Sequence, residues 1–211
     1  MQFQLDEIIE DKELVNKIKE KIPIMFARAE RYAIRGGKIG MEVGKIRERP
    51  VIALLIHKFG KKNVDDDVPD TQPEVDVKLF GKPISIKTIS NANLSGIKAA
   101  WTVDRKSCIE FIESYEPSTD IILVQILWNK VGKIFMIPLE SQREVINEIG
   151  VEQYLDLPRE GTNPRGLTFS KECMRRITEH NETKSIDIPW NRPEELDFDL
   201  YAEWVEYWQQ N

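Results

Sequence analysis

The sequence predicts an α/β fold, a mixed central β-sheet of about five strands flanked by helices on both sides. Three observations lead there. Ile121-Ile122-Leu123-Val124-Gln125-Ile126-Leu127-Trp128 is an almost unbroken apolar run, as expected of a strand covered on both faces. Glu74 to Ile89 reads as two short strands of β-branched residues alternating with polar ones, closed by a tight turn. Much of Leu5 to Phe59 instead carries apolar residues at helical spacing. With 211 residues and no internal repeat, the chain is expected to form one domain around a sizeable core.

Taken in order, Leu5, Ile8, Ile9, Leu14, Val15, Ile18 and Ile22 define an amphipathic helix over 5–22, and a second helix over 23–35 ends at Gly36-Gly37. Met41, Lys45, Glu48, Ile52, Leu55 and Phe59 then recur at helical spacing, with Pro50 as a kink or a restart. In the hairpin, Gly81 and Lys82 are read as the two loop residues. That register sets Phe80 against Pro83 and Asp76 against Lys87, with Cβ atoms ~5 Å apart. Ser90 to Gly96 is a polar loop, and Asp104 caps a helix over Cys108, Ile109, Phe111 and Ile112 that Glu116-Pro117-Ser118 breaks. The apolar run and Gly132 to Pro138 pair as a hairpin through Asn129 to Val131. Gly161 to Gly166 is a turn-rich loop with Asn163 and Arg165 on its tip, followed by a helix bearing Lys171, Arg175 and Arg176. Leu196, Leu200, Trp204 and Trp208 lie about one turn apart in a final acidic helix.

No stretch of about 18 apolar residues exists, and Met1 to Asp6 lacks signal-peptide character, so a cytoplasmic protein with no membrane partner is expected. Cys108 and Cys173 stand outside any metal-ligand spacing and read as free thiols. Only His57 and His180 are present, which argues against a histidine zinc site or a hydrolytic triad. The net charge of −6 argues against nucleic acid only as a sum. From Asp187 to Asn211 there are seven acids and one base, leaving the rest of the chain balanced at 29 of each. Within that remainder, Arg28 to Lys62 holds ten basic residues against three acids, an electrostatic footprint for phosphates. The acidic tail is expected to lie away from them.

Asp76, Ser85 and Lys87 crowd one face of the hairpin, while Val75, Val77, Ile84 and Ile86 point to the core. For an isolated Asp/Lys pair, a cross-strand salt bridge would suffice. Here the upstream helix directs Glu48 from its apolar stripe toward the same hairpin, which is costly unless a charge is needed there. A divalent metal shared with Asp76 would supply that need. Glu42 is the rival, but it lies between two glycines, and its neighbours Ile46, Arg49 and Ala53 form a weaker stripe. Pro69-Asp70 and Asp76-Val77-Lys78 spell the halves of a nuclease motif literally, yet leave no room for a strand reversal between them and read as incidental. Ser85-Ile86-Lys87 stands where (D/E)xK is expected, with Ser in place of the acid.

An acid on the first strand, x-x-Lys on the second and Glu48 on the preceding helix resemble the PD-(D/E)xK nuclease core. The spacing of Glu48, Asp76 and Lys87, with Met41 two helical turns before Glu48 and Ser85 at the motif acid, resembles the ThaI-type type II restriction endonucleases over roughly 38–90. The resemblance implies a homodimer that cuts double-stranded DNA at CG/CG to leave blunt ends, with Mg2+ and no small-molecule cofactor. It further implies a catalytic core over about 38–140 and recognition and dimer elements over about 141–211. Glu48 and Asp76 would be metal ligands, with the main-chain carbonyl of Ile86 as a third, and Glu48 would take the role left vacant at Ser85. Hard oxygen ligands of this kind suit Mg2+, which takes one or two carboxylates and keeps several waters. Lys87 would orient and help deprotonate the attacking water. Lys45, Arg47 and Arg175 are candidate phosphate contacts, and Arg165 and Asn163 candidate base-edge contacts. Met41, in a glycine-flanked basic segment, is a candidate wedge at a pyrimidine-purine step such as CG, with ordinary core as its plainer role. A structure-specific repair nuclease and a non-catalytic DNA-binding module remain as other readings.

Overall fold

The computed structural model describes residues 4–35, 41–69, 74–100, 105–158 and 166–194, and their side chains except those of 34, 35, 41–43 and 105. In chain order, α1 (Asp6–Glu10), α2 (Lys12–Arg35) and α3 (Met41–Phe59) precede β1 (Val64–Asp65), β2 (Val77–Leu79), β3 (Lys82–Ile89) and β4 (Lys98–Ala100). Then come α4 (Arg105–Glu113), β5 (Asp120–Gln125), β6 (Val131–Ile137), α5 (Leu139–Ile149), α6 (Val151–Tyr154), β7 (Leu155–Asp156), β8 (Leu167–Phe169), α7 (Lys171–Glu179) and β9 (Lys184–Pro189).

Apolar side chains of both parities along β5 require cover on both faces, and both faces have it. The central sheet runs β1-β2-β3-β5-β6-β9, with β3 and β5 parallel and its other pairs antiparallel. On one face Ile84, Ile86, Ile122, Val124, Ile134 and Met136 pack with Leu14, Ile18, Ile22 and Phe26 of α2 and Val51 and Leu55 of α3. On the other, Ile121, Leu123, Phe135 and Ile137 pack with Tyr115, Tyr154, Cys173, Met174 and Ile177. A three-stranded sheet, β4-β8-β7, contributes Ala99, Leu155, Leu167 and Phe169 to that second core. The mixed, helix-flanked sheet is as the sequence predicts.

Four details differ from the sequence reading. The central sheet has six strands rather than about five, because Ile186 and Ile188 of β9 alternate with polar residues and pair along β6. Asp187, counted with the acidic tail, is therefore a strand residue, ion-paired to Lys133 at 3.2 Å. The two helices expected over 5–22 and 23–35 are largely one: α2 runs through Pro23, since continuous burial of Ile18, Ile22 and Phe26 outweighs one lost N–H. Pro50 lies inside a continuous α3, so of the kink or restart expected there the restart does not occur. The residues expected to form the last helix, Leu196, Leu200, Trp204 and Trp208, lie outside the described residues, as does Asp104.

Beyond β9, Trp190 is fully buried, with Phe26 at 5.4 Å and Trp128 at 5.5 Å edge-on to it. Gly132 makes room for it: a Cβ there would fall 2.3 Å from the Gln125 carbonyl oxygen and 2.7 Å from Trp190 Nε1. Cys108 and Cys173 are buried thiols outside any disulfide. Among the described residues no helix is long and apolar enough to cross a membrane.

Candidate active site

The site forms where β2 parts from β3. Val77 pairs with Ile84, Lys78 with Pro83 and Leu79 with Lys82, so the two loop residues are Phe80 and Gly81, at φ 49° and 80°. The expected Gly81-Lys82 turn is thus displaced, and Asp76 does not face Lys87. Proline explains the choice: the pair closing a two-residue hairpin exchanges both backbone hydrogen bonds, and Pro83 has no N–H to give. Lys82 closes the turn instead, while Phe80 accepts a left-handed backbone and packs edge-on to Phe59 at 5.7 Å. The shift is two residues, so every side chain keeps its expected face. Val77, Ile84 and Ile86 are buried in the core under α2 and α3, and Asp76, Ser85 and Lys87 still share the opposite parity.

Asp76 ends the ladder with its side chain. Its backbone N–H donates to the Ile84 carbonyl at 3.0 Å, and its Oδ2 accepts the Ile86 N–H at 2.6 Å and the Ser85 hydroxyl at 3.1 Å. The serine that stands where the motif has an acid is buried at 1 % exposure and spends its hydroxyl on holding Asp76. This fixes the carboxylate at the fork and leaves its second oxygen to other partners.

Glu48 reaches the same fork from α3. One helical turn earlier, a Cβ on Gly44 would lie 4.0 Å from its Oε1, so a glycine lines its path. Burial pushes the Glu48 carboxyl up to about 7, the Asp76 carboxylate adds to the rise, and Lys87 and Lys45 oppose it. The structure thus brings Glu48, Asp76 and Lys87 into one electrostatic neighbourhood. Among the described residues, no three or more Asp, Glu, His or Cys side chains are arranged to hold a metal ion. Two carboxylates, a main-chain carbonyl and water oxygens still match the hard, partly hydrated sphere of Mg2+. A cation bound there would relieve the crowding of the two acids.

Arg47 turns away, since successive helical residues are about 100° apart. It donates to Glu30 at 2.7 Å, and Glu30 also accepts from Arg192 at 2.9 Å and Trp128 Nε1 at 3.2 Å. Arg175 is held by Glu172 and Glu179 of its own helix, at 2.8 and 2.9 Å. Lys45 is exposed one turn before Glu48. Lys78, in the incidental motif, sits in mid-β2 between Asp65 and Pro83. Asn163, Arg165 and Asp70 lie outside the described residues, as do the side chains of Met41 and the rival Glu42.

Glu74 is the residue that the sequence reading passed over. Its carboxylate accepts from the Ser118 hydroxyl at 2.8 Å and from the Tyr115 hydroxyl, burial raises its pKa, and Lys87 opposes the rise. Its signal was present: it lies two residues before Asp76, hence at the same parity.

The chain is similar to known proteins in both sequence and structure. A solved structure described as "Restriction endonuclease in complex with substrate DNA" is 42 % identical to the chain, with 99 % of this chain and 100 % of that one covered at a TM-score of 0.88. No curated protein matches. The model of the family "Restriction endonuclease ThaI" matches residues 8–210, and the chain therefore belongs to the ThaI restriction endonucleases.

Proposed function

We propose that the chain is a Mg2+-dependent type II endonuclease that cuts double-stranded DNA at the palindrome CG/CG, leaving blunt ends, and works as a homodimer. One observation carries the reading: Glu48, Asp76 and Lys87 meet where β2 leaves β3, and Glu48 is held there at a raised pKa by burial and by Asp76. The DNA in the similar solved structure supports the choice of substrate.

Each side chain has a task in hydrolysing a phosphodiester. Asp76, pinned by the Ile86 N–H and Ser85, and Glu48, presented by α3, are the proposed metal ligands, with the main-chain carbonyl of Ile86 as a third. A bound Mg2+ supplies neutralisation of charge on the phosphate and a water of lowered pKa. Lys87 would orient the attacking water, favour its deprotonation through the positive charge of the ammonium, and face the negative charge that grows on the phosphate. Lys45 extends the positive field toward the backbone, and Asn163 and Arg165 are the proposed readers of base edges. Met41, seven residues before Glu48 on a continuous α3 and so offset by about 10 Å along the axis, is the proposed wedge at a base step next to the scissile phosphate. Arg47 and Arg175 are each ion-paired within the chain, so a phosphate would compete with those carboxylates for the guanidinium charge.

Plasmid digestion with Mg2+, set against a chelator control, tests the reading. Discrete fragments with blunt ends inside CGCG are expected. A smear or nicks would instead favour a structure-specific nuclease, and no cutting a non-catalytic DNA binder.

A further inference from the structure

The apolar strand β5 ends on a buried amide. Gln125, 8 % exposed, follows Ile121 to Val124, and an amide there is costly unless it is hydrogen-bonded. Its Nε2 donates to two successive carbonyls, those of Asn91 and Ala92, at 3.2 Å each. Both belong to the loop that leaves β3, whose Ile89 pairs with Gln125 as Lys87 pairs with Leu123. Paired residues of parallel strands share a face, so the amide holds the loop on the face that carries Lys87. Leu94 of the loop packs into the core on that same face, with Ile89 and Leu123.

The loop is built beyond what a connection needs. Leu94 stands at φ 52°, a left-handed backbone that a branched side chain rarely takes and that persists only where its surroundings impose it. Asn91 ties the loop to itself, its Nδ2 donating to the Ser95 carbonyl at 2.9 Å and its Oδ1 accepting the Ser95 N–H at 3.3 Å. Residues 90–96 include no charged side chain, and Asn93 and Ser95 are exposed. The Ser95 hydroxyl donates to Asn93 Oδ1 at 2.9 Å, so the group that Asn93 still offers is its NH2, a donor. Ser90 follows Lys87 by about 10 Å of strand, the length of about three base-pair steps of a duplex. Open α/β sheets bind their ligands just outside the carboxyl ends of their strands, where this loop sits. We propose that loop 90–96 is a DNA-contact element: Asn93 donates to an acceptor of the duplex near the scissile phosphate, and Gln125 is the positioning residue that fixes the loop. The acceptor is a phosphate oxygen or a purine N7 or O6. The inference rests on the reading of Lys87 as catalytic, which sets the duplex against this face.

The full chain, Asn93→Ala, Gln125→Met, the double variant and Lys87→Ala are compared on a duplex carrying the sequence mapped by plasmid digestion and on a scrambled duplex. The measurements are affinity with Ca2+ in place of Mg2+ at several salt concentrations, single-turnover cleavage with Mg2+, and melting temperature. Expected for Asn93→Ala is an affinity lower by about tenfold at unchanged melting temperature. The salt dependence should not change, because a neutral contact releases no counterion. An equal loss on both duplexes assigns the contact to a phosphate, and a loss confined to the mapped sequence assigns it to a base edge. Gln125→Met keeps the volume and removes both hydrogen bonds, and its loss of affinity should largely vanish in the Asn93→Ala background. Losses that simply add in the double variant overturn the role of Gln125. Full affinity in Asn93→Ala overturns the proposal, and beside an inactive Lys87→Ala it leaves the site reading intact. A full rate in Lys87→Ala removes the underlying reading itself. Should Gln125→Met fail to fold, the exposed Asn93→Ala decides alone.

Discussion

At the proposed site a proton and a divalent cation would compete for the charge of Glu48. Buried beside Asp76, its carboxyl is pushed up to about 7 from 4.5, so the folded chain holds the proton more tightly than the unfolded chain does. In the absence of metal, this contribution to stability is full below the ordinary carboxylate range and is lost as pH rises through about 7. Melting temperature recorded in chelator between about pH 5 and about pH 8 should fall more for the wild type than for Glu48→Gln, which has no proton to lose. Equal slopes would mean that Glu48 is not in the strained environment described. Metal affinity should move the opposite way, weakening by up to about tenfold per pH unit below 7 as the proton wins the site. The faces that carry Glu48, Asp76 and Lys87 were legible in the sequence, because a period of 2 or 3.6 fixes the face. The anchoring of Asp76 by Ser85 and by the Ile86 N–H was not, because it depends on β2 leaving the ladder at that residue.

At the scale of elements, the hairpin shows why faces are easier to read than registers. Faces survive a two-residue slip, whereas Asp76's partner changes from Lys87 to Ser85, and the deciding term is the missing N–H of Pro83. The strand β9 was missed because its apolar residues, Ile186 and Ile188, are few and sit next to an acid-rich stretch. The β5–β6 connection depends on one glycine, with Trp190 packed against it. Gly132→Ala forces either the Gln125 backbone or the Trp190 ring to move and should cost about 1–3 kcal/mol, a melting-temperature drop of several degrees. An unchanged melting temperature would mean that Trp190 can yield without loss. On α3, Met41→Ala should weaken specific binding and cleavage with little change in melting temperature, as a wedge into DNA requires. A large thermal loss with unchanged discrimination among sites would make Met41 ordinary core.

Along the whole chain, charge is segregated: the stretch 28–62 is basic, and the last 25 residues are acidic. Two cuts at symmetric positions in a palindrome call for two such sites related by a twofold axis. Sedimentation with a CGCG duplex should therefore find two chains per duplex, and a single chain on DNA would remove the homodimer. The mixed sheet and its helical cover were legible because buried strands and amphipathic helices leave strong periodic signals. The small sheet of β4, β7 and β8 was not, since strands of two or three residues carry almost none. Asp76 is the centre of the proposed site, anchored by Ser85 and the Ile86 N–H. Single-turnover cleavage and duplex affinity measured together for Asp76→Asn should give a rate lower by at least about a hundredfold at nearly unchanged affinity. Full cleavage by Asp76→Asn would contradict the placement of the active site at the fork between β2 and β3.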